Sequence, residues 1–180
     1  MEKSDKSPIR IILTGPESTG KTVLCGSLAT LYNGICVPEY AREYILELDR
    51  QYNYEDVVHI AEKQVVLMNE YSRHSSSYIF IDTYLIITKV WFRRVFNKIP
   101  LWIDSEIAKT KDALYLLCKP DLPWEPDGVR ENGGEMRKIL LDEYEKELQL
   151  AGLNYAFVEG FGKERVNCAE NRIQNFLQNE

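Results

Sequence analysis

The stretch that most constrains this chain is GPESTGKT, Gly15 to Thr22, set between the apolar run IRIILT and a segment whose Val23, Leu24, Leu28 and Leu31 recur near a helical period. A strand that hands over to a helix through so few residues must turn sharply, and Gly15 and Gly20 give the backbone that freedom. Consecutive N–H groups then converge on one anion, and the following helix adds its positive end. The spacing satisfies GxxxxGK followed by Ser or Thr in full. Lys21 is therefore placed to reach the β- and γ-phosphates of ATP, and Thr22 to ligate Mg²⁺. Glu17, Ser18 and Thr19 complete the loop and are expected to contact the nucleotide with it. The alternative is a chance glycine-rich turn before a helix, which leaves Lys21 and Thr22 without a role.

Around this loop the chain alternates short apolar runs with longer amphipathic ones. IRIILT, GICV, YIFID, ALYLLC and NYAFVE read as five strands, and the segments between them read as helices. That alternation predicts βαβ units and a parallel sheet covered on both faces. The fold class is thus α/β, a P-loop NTPase three-layer sandwich with a five-stranded parallel sheet and a small lid. Helices are expected over 20–32, from Tyr54 through the histidine at 74, from Asp82 to Phe96, from Pro100 as a first helical residue, from Gly134 to Gly152, and from Arg165 or Asn167 toward Leu177. One domain covers 1–180, with a flexible polar N-terminus over 1–8 and a lid over about 124–137.

Charge and cysteine usage narrow the partners. A net charge of −6 argues against a broad basic surface for nucleic acid and leaves room for a local phosphate pocket. Cys25, Cys36, Cys118 and Cys168 show no CxxC pair and read as buried thiols of a reducing compartment. No run has the length of a membrane span and no signal peptide is recognisable, so a cytoplasmic protein with no membrane partner is expected, oligomerisation being open.

A second acidic group is expected near the loop. Asp82 ends the third apolar run, where ligands bind in open parallel sheets, and is placed to hold Mg²⁺ or the reacting hydroxyl; its other reading is the N-cap of the next helix. Glu39, in CVPEYARE just past the second run, falls at the same sheet edge. It is either the carboxylate that orients an acceptor hydroxyl or a first-turn Glu complementing a helix dipole. Arg42, one turn on, can hold phosphate or pair with a neighbouring Glu. Arg130 and Arg137 flank ENGGE, as a closing lid that brings guanidinium groups to a transferring phosphoryl requires, although a solvated helix start reads the same way. In KPDLPWEPDGVRE, prolines hold Trp124 stiffly beside Asp121, Glu125 and Asp127, either a setting suited to a ribose or a cationic ring or a rigid surface turn whose Trp packs under the loop. Trp91 is a helix-face residue or a pocket wall. His59 and His74 are assigned no chemistry.

Together GPESTGKT, VPEYARE, IDTYLIITKVWF and KPDLPWEPDGVRE resemble the ribosylnicotinamide kinase domain of the NadR family, over Ile11 to about Ile173. The resemblance implies transfer of phosphate from ATP, with Mg²⁺, to the ribose 5′-hydroxyl of nicotinamide riboside. It implies that Lys21 and Thr22 serve ATP and metal and that Asp82 sits at the hydroxyl or metal. Glu39, Arg42, Trp124, Asp127 and Arg130 would belong to the acceptor side and lid, and VEGFGKER, with Arg165, to a loop around adenine. The family's pattern reads DTD after the third strand, whereas Tyr84 stands here in place of the second Asp, a departure that bears on acceptor identity. Multifunctional members carry a nucleotidyltransferase and sometimes a DNA-binding domain ahead of the kinase; with eight residues before the first strand, neither activity is expected of this chain. Two further readings stay open: a nucleoside or nucleotide kinase for another base, and an ATP-dependent switch or accessory ATPase that answers to a protein partner.

Overall fold

The five apolar runs form one parallel sheet in the computed structural model, which describes residues 7–179; the expectation for the N-terminus lies, over residues 1–6, outside the described part. The strands are β1 (Ile9–Thr14), β2 (Ile35–Val37), β3 (Tyr78–Asp82), β4 (Leu114–Cys118) and β5 (Asn154–Val158), in the order β2-β3-β1-β4-β5. Their near-continuous apolar character has a direct cause. Ile12, Ile81 and Leu117 point into one core, while Ile11, Leu13, Phe80 and Leu116 point into the other, so both faces of the central strands are buried.

Among the described residues seven α-helices cover those faces: α1 (Lys21–Leu31), α2 (Tyr40–Glu47), α3 (Tyr54–Tyr71), α4 (Leu85–Trp91), α5 (Ile103–Ala108), α6 (Met136–Leu150) and α7 (Gly162–Gln178). Leu24 and Leu28 of α1 pack with Ala169 and Ile173 of α7 on one face. Helices α3 to α6 supply the other core through Val57, Leu85, Ile107 and Leu140. Helix α4 runs on into a π-helical turn, Phe92–Phe96, which Asn97 ends at φ 49°.

Three expectations need correcting. Pro100 is not a first helical residue, since α5 begins at Ile103 and the Pro100 carbonyl closes the preceding turn by accepting from Ile103 N at 3.2 Å. Helix α7 begins at Gly162, ahead of Arg165, because the Phe161 carbonyl already accepts from Glu164 N at 3.0 Å. The loop expected around adenine is correspondingly short. Cys25 and Cys36 are joined in a disulfide, with Cα atoms 6.0 Å apart, while Cys118 and Cys168 are free thiols. Helix α1 packs back over the sheet beside the edge strand β2, so tertiary packing pairs two cysteines whose spacing carries no motif.

The connection from α2 to α3 is fixed by Asp56, 4% exposed in the first turn of α3. Asn53 Oδ1 accepts from Asp56 N at 3.0 Å and Asp56 Oδ2 accepts from Asn53 N at 2.7 Å, a reciprocal cap. Asp56 also accepts from Arg50 at 2.6 and 2.8 Å and from the Tyr44 hydroxyl of α2 at 2.9 Å. The Arg50 guanidinium, helped by the Asn53 N–H and the Tyr44 hydroxyl, holds this carboxyl well below the usual carboxylate range. A depressed folded pKa contributes stability above the unfolded value and loses it as pH falls through the folded one. Asp56→Ala should therefore cost about 1–3 kcal/mol in urea unfolding at neutral pH, with the deficit shrinking in strong acid.

Candidate active site

The C-terminal ends of β1 and β3 lie side by side, with Leu13 opposite Asp82, so the phosphate loop leaves the sheet next to that carboxylate. Gly15 sits at φ 139°, where a β-carbon would come 2.6 Å from the Cys118 carbonyl oxygen of β4. No other residue fits this exit. Thr19 Oγ1 donates to the Pro16 carbonyl at 2.9 Å across the loop, and Gly20, at φ 73°, is the N-cap residue before α1. Lys21 Nζ donates to the carbonyls of Gly15 and Pro16 at 2.9 and 2.8 Å, so the ammonium lies over its own loop.

Asp82 is 1% exposed, and its Oδ1 has no hydrogen-bond partner among the described residues. Burial raises its pKa, opposed by the Thr22 hydroxyl and by the Lys21 and Arg42 charges. A buried, unpartnered carboxylate oxygen beside a Thr hydroxyl fits a Mg²⁺ ion that takes its other ligands from phosphate and water. No cluster of three or more His, Cys, Asp or Glu side chains that could hold a metal exists among the described residues. The N-cap reading of Asp82 is not realised, because α4 starts at Leu85 with Tyr84 as its N-cap.

Glu39 is the residue before α2, but its side chain makes no cap hydrogen bond. Burial pushes its carboxyl above the ordinary value; Lys21 and Arg42 oppose that, while Asp82 and Asp127 add to it. A carboxylate with a raised pKa therefore stands beside the lysine of the phosphate loop. Both line a cavity of about 310 Å³. The loop from Gly15 to Val23 closes one end of it, and Tyr52, Trp91, Val95 and Tyr144 form an aromatic and apolar wall elsewhere. Trp91 and Tyr52 meet edge to face with centroids 5.0 Å apart.

The π-helical turn after α4 brings Arg94 and Val95 to the cavity together with Trp91, the residue before it. An ion-pair lattice holds it against α6. Arg94 donates to Glu143 at 2.5 Å, Arg93 pairs with Glu147, and Lys89 pairs with Glu147 at 2.6 Å and with Asp104 at 2.7 Å.

A strap formed by residues 124–132 crosses the outer side of the phosphate loop, and its Val129, Arg130, Glu131 and Asn132 line the cavity. Asp127 does not line it. Its carboxylate pairs with Arg42, accepts from Arg130 Nε at 3.2 Å, and caps the turn by accepting from Val129 N and Arg130 N at 3.1 and 2.9 Å. It thus aims two of the arginines that line the cavity, Arg42 and Arg130.

Four other expectations are corrected. Trp124 stands outside the cavity lining: its ring packs on Gly133 and its Nε1 donates to Glu17 at 3.3 Å. Tyr84 is 1% exposed in the core beneath the sheet, because Thr83, at φ 71°, turns the chain inward there. Arg137 is buried and donates to the carbonyls of Leu122 and Ser18 at 2.8 and 3.0 Å, bracing the loop from behind rather than entering the cavity. Arg165 is also buried, tying Asp121 and the carbonyls of Gly160 and Lys119 at 2.6 to 2.9 Å, and does not line the cavity.

The sequence reading missed Tyr52, Arg94, Val95 and Tyr144. For Arg94 and Val95 a signal existed, since they follow Trp91 at i+3 and i+4 on one helical face. Tyr52 precedes a helix cap and carries none.

Two curated relatives bear out the resemblance to NadR. The "Trifunctional NAD biosynthesis/regulator protein NadR" of Salmonella typhimurium is 24% identical over 132 residues, 70% of this chain and 32% of that protein. Its Escherichia coli counterpart is 24% identical over 147 residues, 76% of this chain and 35% of its own length. The chain thus spans about a third of the relatives it matches. Among solved structures, NadR in complex with NR superposes with a TM-score of 0.79 at 21% identity, covering 94% of this chain and 50% of that one. Deoxyadenosine kinase from M. mycoides gives 0.61 at 10% identity, covering 93% and 100%. These likenesses bear out the α/β P-loop sandwich, and no described helix is long and apolar enough to cross a membrane. The profile of the AAA domain matches residues 10–165, and the chain belongs to that family.

Proposed function

We propose that this protein is an ATP-dependent kinase that phosphorylates the ribose 5′-hydroxyl of a nucleoside-like small molecule, with nicotinamide riboside as the favoured acceptor and nicotinamide mononucleotide as its product. One observation carries the reading: a single cavity joins the phosphate loop, a carboxylate with a raised pKa and an aromatic wall. Its volume suits a small molecule and leaves a protein-answering switch without a reason for the wall.

The roles follow from position. The loop amides and Lys21 bind the β- and γ-phosphates, and Arg42 and Arg130 add positive charge on the same side. Thr22 and Asp82 hold Mg²⁺, which when bound draws charge from the transferring group. Glu39 accepts the hydroxyl proton as the acceptor oxygen bonds to the γ-phosphorus and the bond to ADP breaks. The strap keeps water out, which suppresses hydrolysis of ATP in place of transfer. Trp91 and Tyr52 flank the base. Glu131, which accepts from the Tyr52 hydroxyl at 3.1 Å, supplies a carboxylate beside those rings, a combination that favours a cationic pyridinium. The NadR structure in complex with NR supports the same choice. A kinase for another base remains the second reading, since aromatic faces tolerate different rings.

A panel of ribosides incubated with ATP and Mg²⁺ should show phosphorylated product fastest with nicotinamide riboside, and Lys21→Ala should lower turnover about a hundredfold. Absence of product from every riboside would defeat the reading, and ATP hydrolysis stimulated only by a protein would favour the switch. Because burial raises the Glu39 pKa, kcat/KM should fall on acidification from a point above the usual carboxylate range. Glu39→Gln should lower kcat by about a hundredfold or more and remove that acid limb from the pH–rate profile.

A further inference from the structure

Glu17 occupies a variable position of the phosphate loop, yet its carboxylate is engaged by a distant stretch of chain. It accepts from Trp124 Nε1 at 3.3 Å, Glu131 N at 3.1 Å, Asn132 N at 2.9 Å and Asn132 Nδ2 at 3.2 Å. A carboxylate offers about four acceptor positions, so the strap uses its full capacity. The next loop residue repeats the pattern, with Ser18 Oγ accepting from Glu125 N at 3.1 Å. Bonds then continue from the strap into the acceptor wall, since Glu131 accepts from Tyr52 and the Tyr52 ring rests edge-on against Trp91.

We propose that Glu17 is a positioning residue: it latches the strap to the nucleotide loop and, through Glu131 and Tyr52, sets the wall that grips the acceptor base. The proposal rests on the kinase reading for the word acceptor, but the latch itself is a contact within this chain. It separates two roles for a loop residue. One that binds ATP changes nucleotide affinity, whereas a latch changes acceptor binding and exclusion of water. Charge chemistry matters as well as shape. All four partners are N–H donors, so Glu17→Gln would turn an amide NH₂ toward some of them and lose those bonds.

The test is Glu17→Gln, followed by hydrogen–deuterium exchange on the ligand-free protein and by steady-state kinetics. Exchange over 124–132 should rise about tenfold or more, as expected for losing hydrogen bonds to a charged group, with α1 unchanged. The acceptor KM should rise about tenfold, affinity for a nonhydrolysable ATP analogue should stay within about threefold, and ATP hydrolysis without acceptor should grow relative to transfer. Trp124→Phe, which keeps the ring over Gly133 and removes one donor, should shift exchange in the same direction by less; it serves alone if Glu17→Gln does not fold. Unchanged exchange in the strap, or equal losses of ATP and acceptor binding, would overturn the latch. Raised exchange in a protein whose wild type phosphorylates no riboside would retain the latch and remove the kinase reading. Unchanged exchange beside normal riboside turnover would do the reverse.

Discussion

The ligand edge depends on how closely β1 and β4 approach where the chain leaves the sheet. At Gly15 the backbone passes so near the Cys118 carbonyl that only a hydrogen can occupy the side-chain position. That approach is possible because β1 is buried on both faces and held in register between β3 and β4. The same register places Asp82 beside the loop's exit, so the sheet positions the phosphate loop and a buried carboxylate together. Side-chain chemistry is then added to a backbone already shaped for an anion.

Much of this was legible in the sequence for a physical reason. Strands buried on both faces must be apolar throughout, so the five runs stood out without any alignment, and their alternation with helices dictated a parallel sheet. The phosphate loop was legible because its geometry demands particular residues at fixed spacing. The position of Glu39 and Asp82 at the carboxyl edge of the sheet followed from where their strands end.

The remainder failed where the outcome depends on contacts between distant segments. Trp124 was read as stiffly held beside the acceptor, but its direction is set by Glu17 and Gly133, more than a hundred positions away in one case and nine in the other. Tyr84 was read as a substituted ligand, whereas a single left-handed residue before it sends the ring into the core. Arg137 was read as a lid cation beside the glycines of ENGGE, and Arg165 was placed by the resemblance in a loop around adenine; both prove to be buried braces on backbone carbonyls. Residue type announced the chemistry in each case, and packing decided where it was exercised.

The disulfide joins two parts of the site that the sheet alone leaves separate. Cys25 lies one turn beyond Thr22 on the helix that begins at the phosphate loop, and Cys36 lies three residues before Glu39 on the edge strand. The phosphate loop and the Glu39 carboxylate are therefore tied together by a covalent link between α1 and β2. The strap and the Tyr52–Trp91 wall are joined to this covalent frame by hydrogen bonds and ring contacts alone.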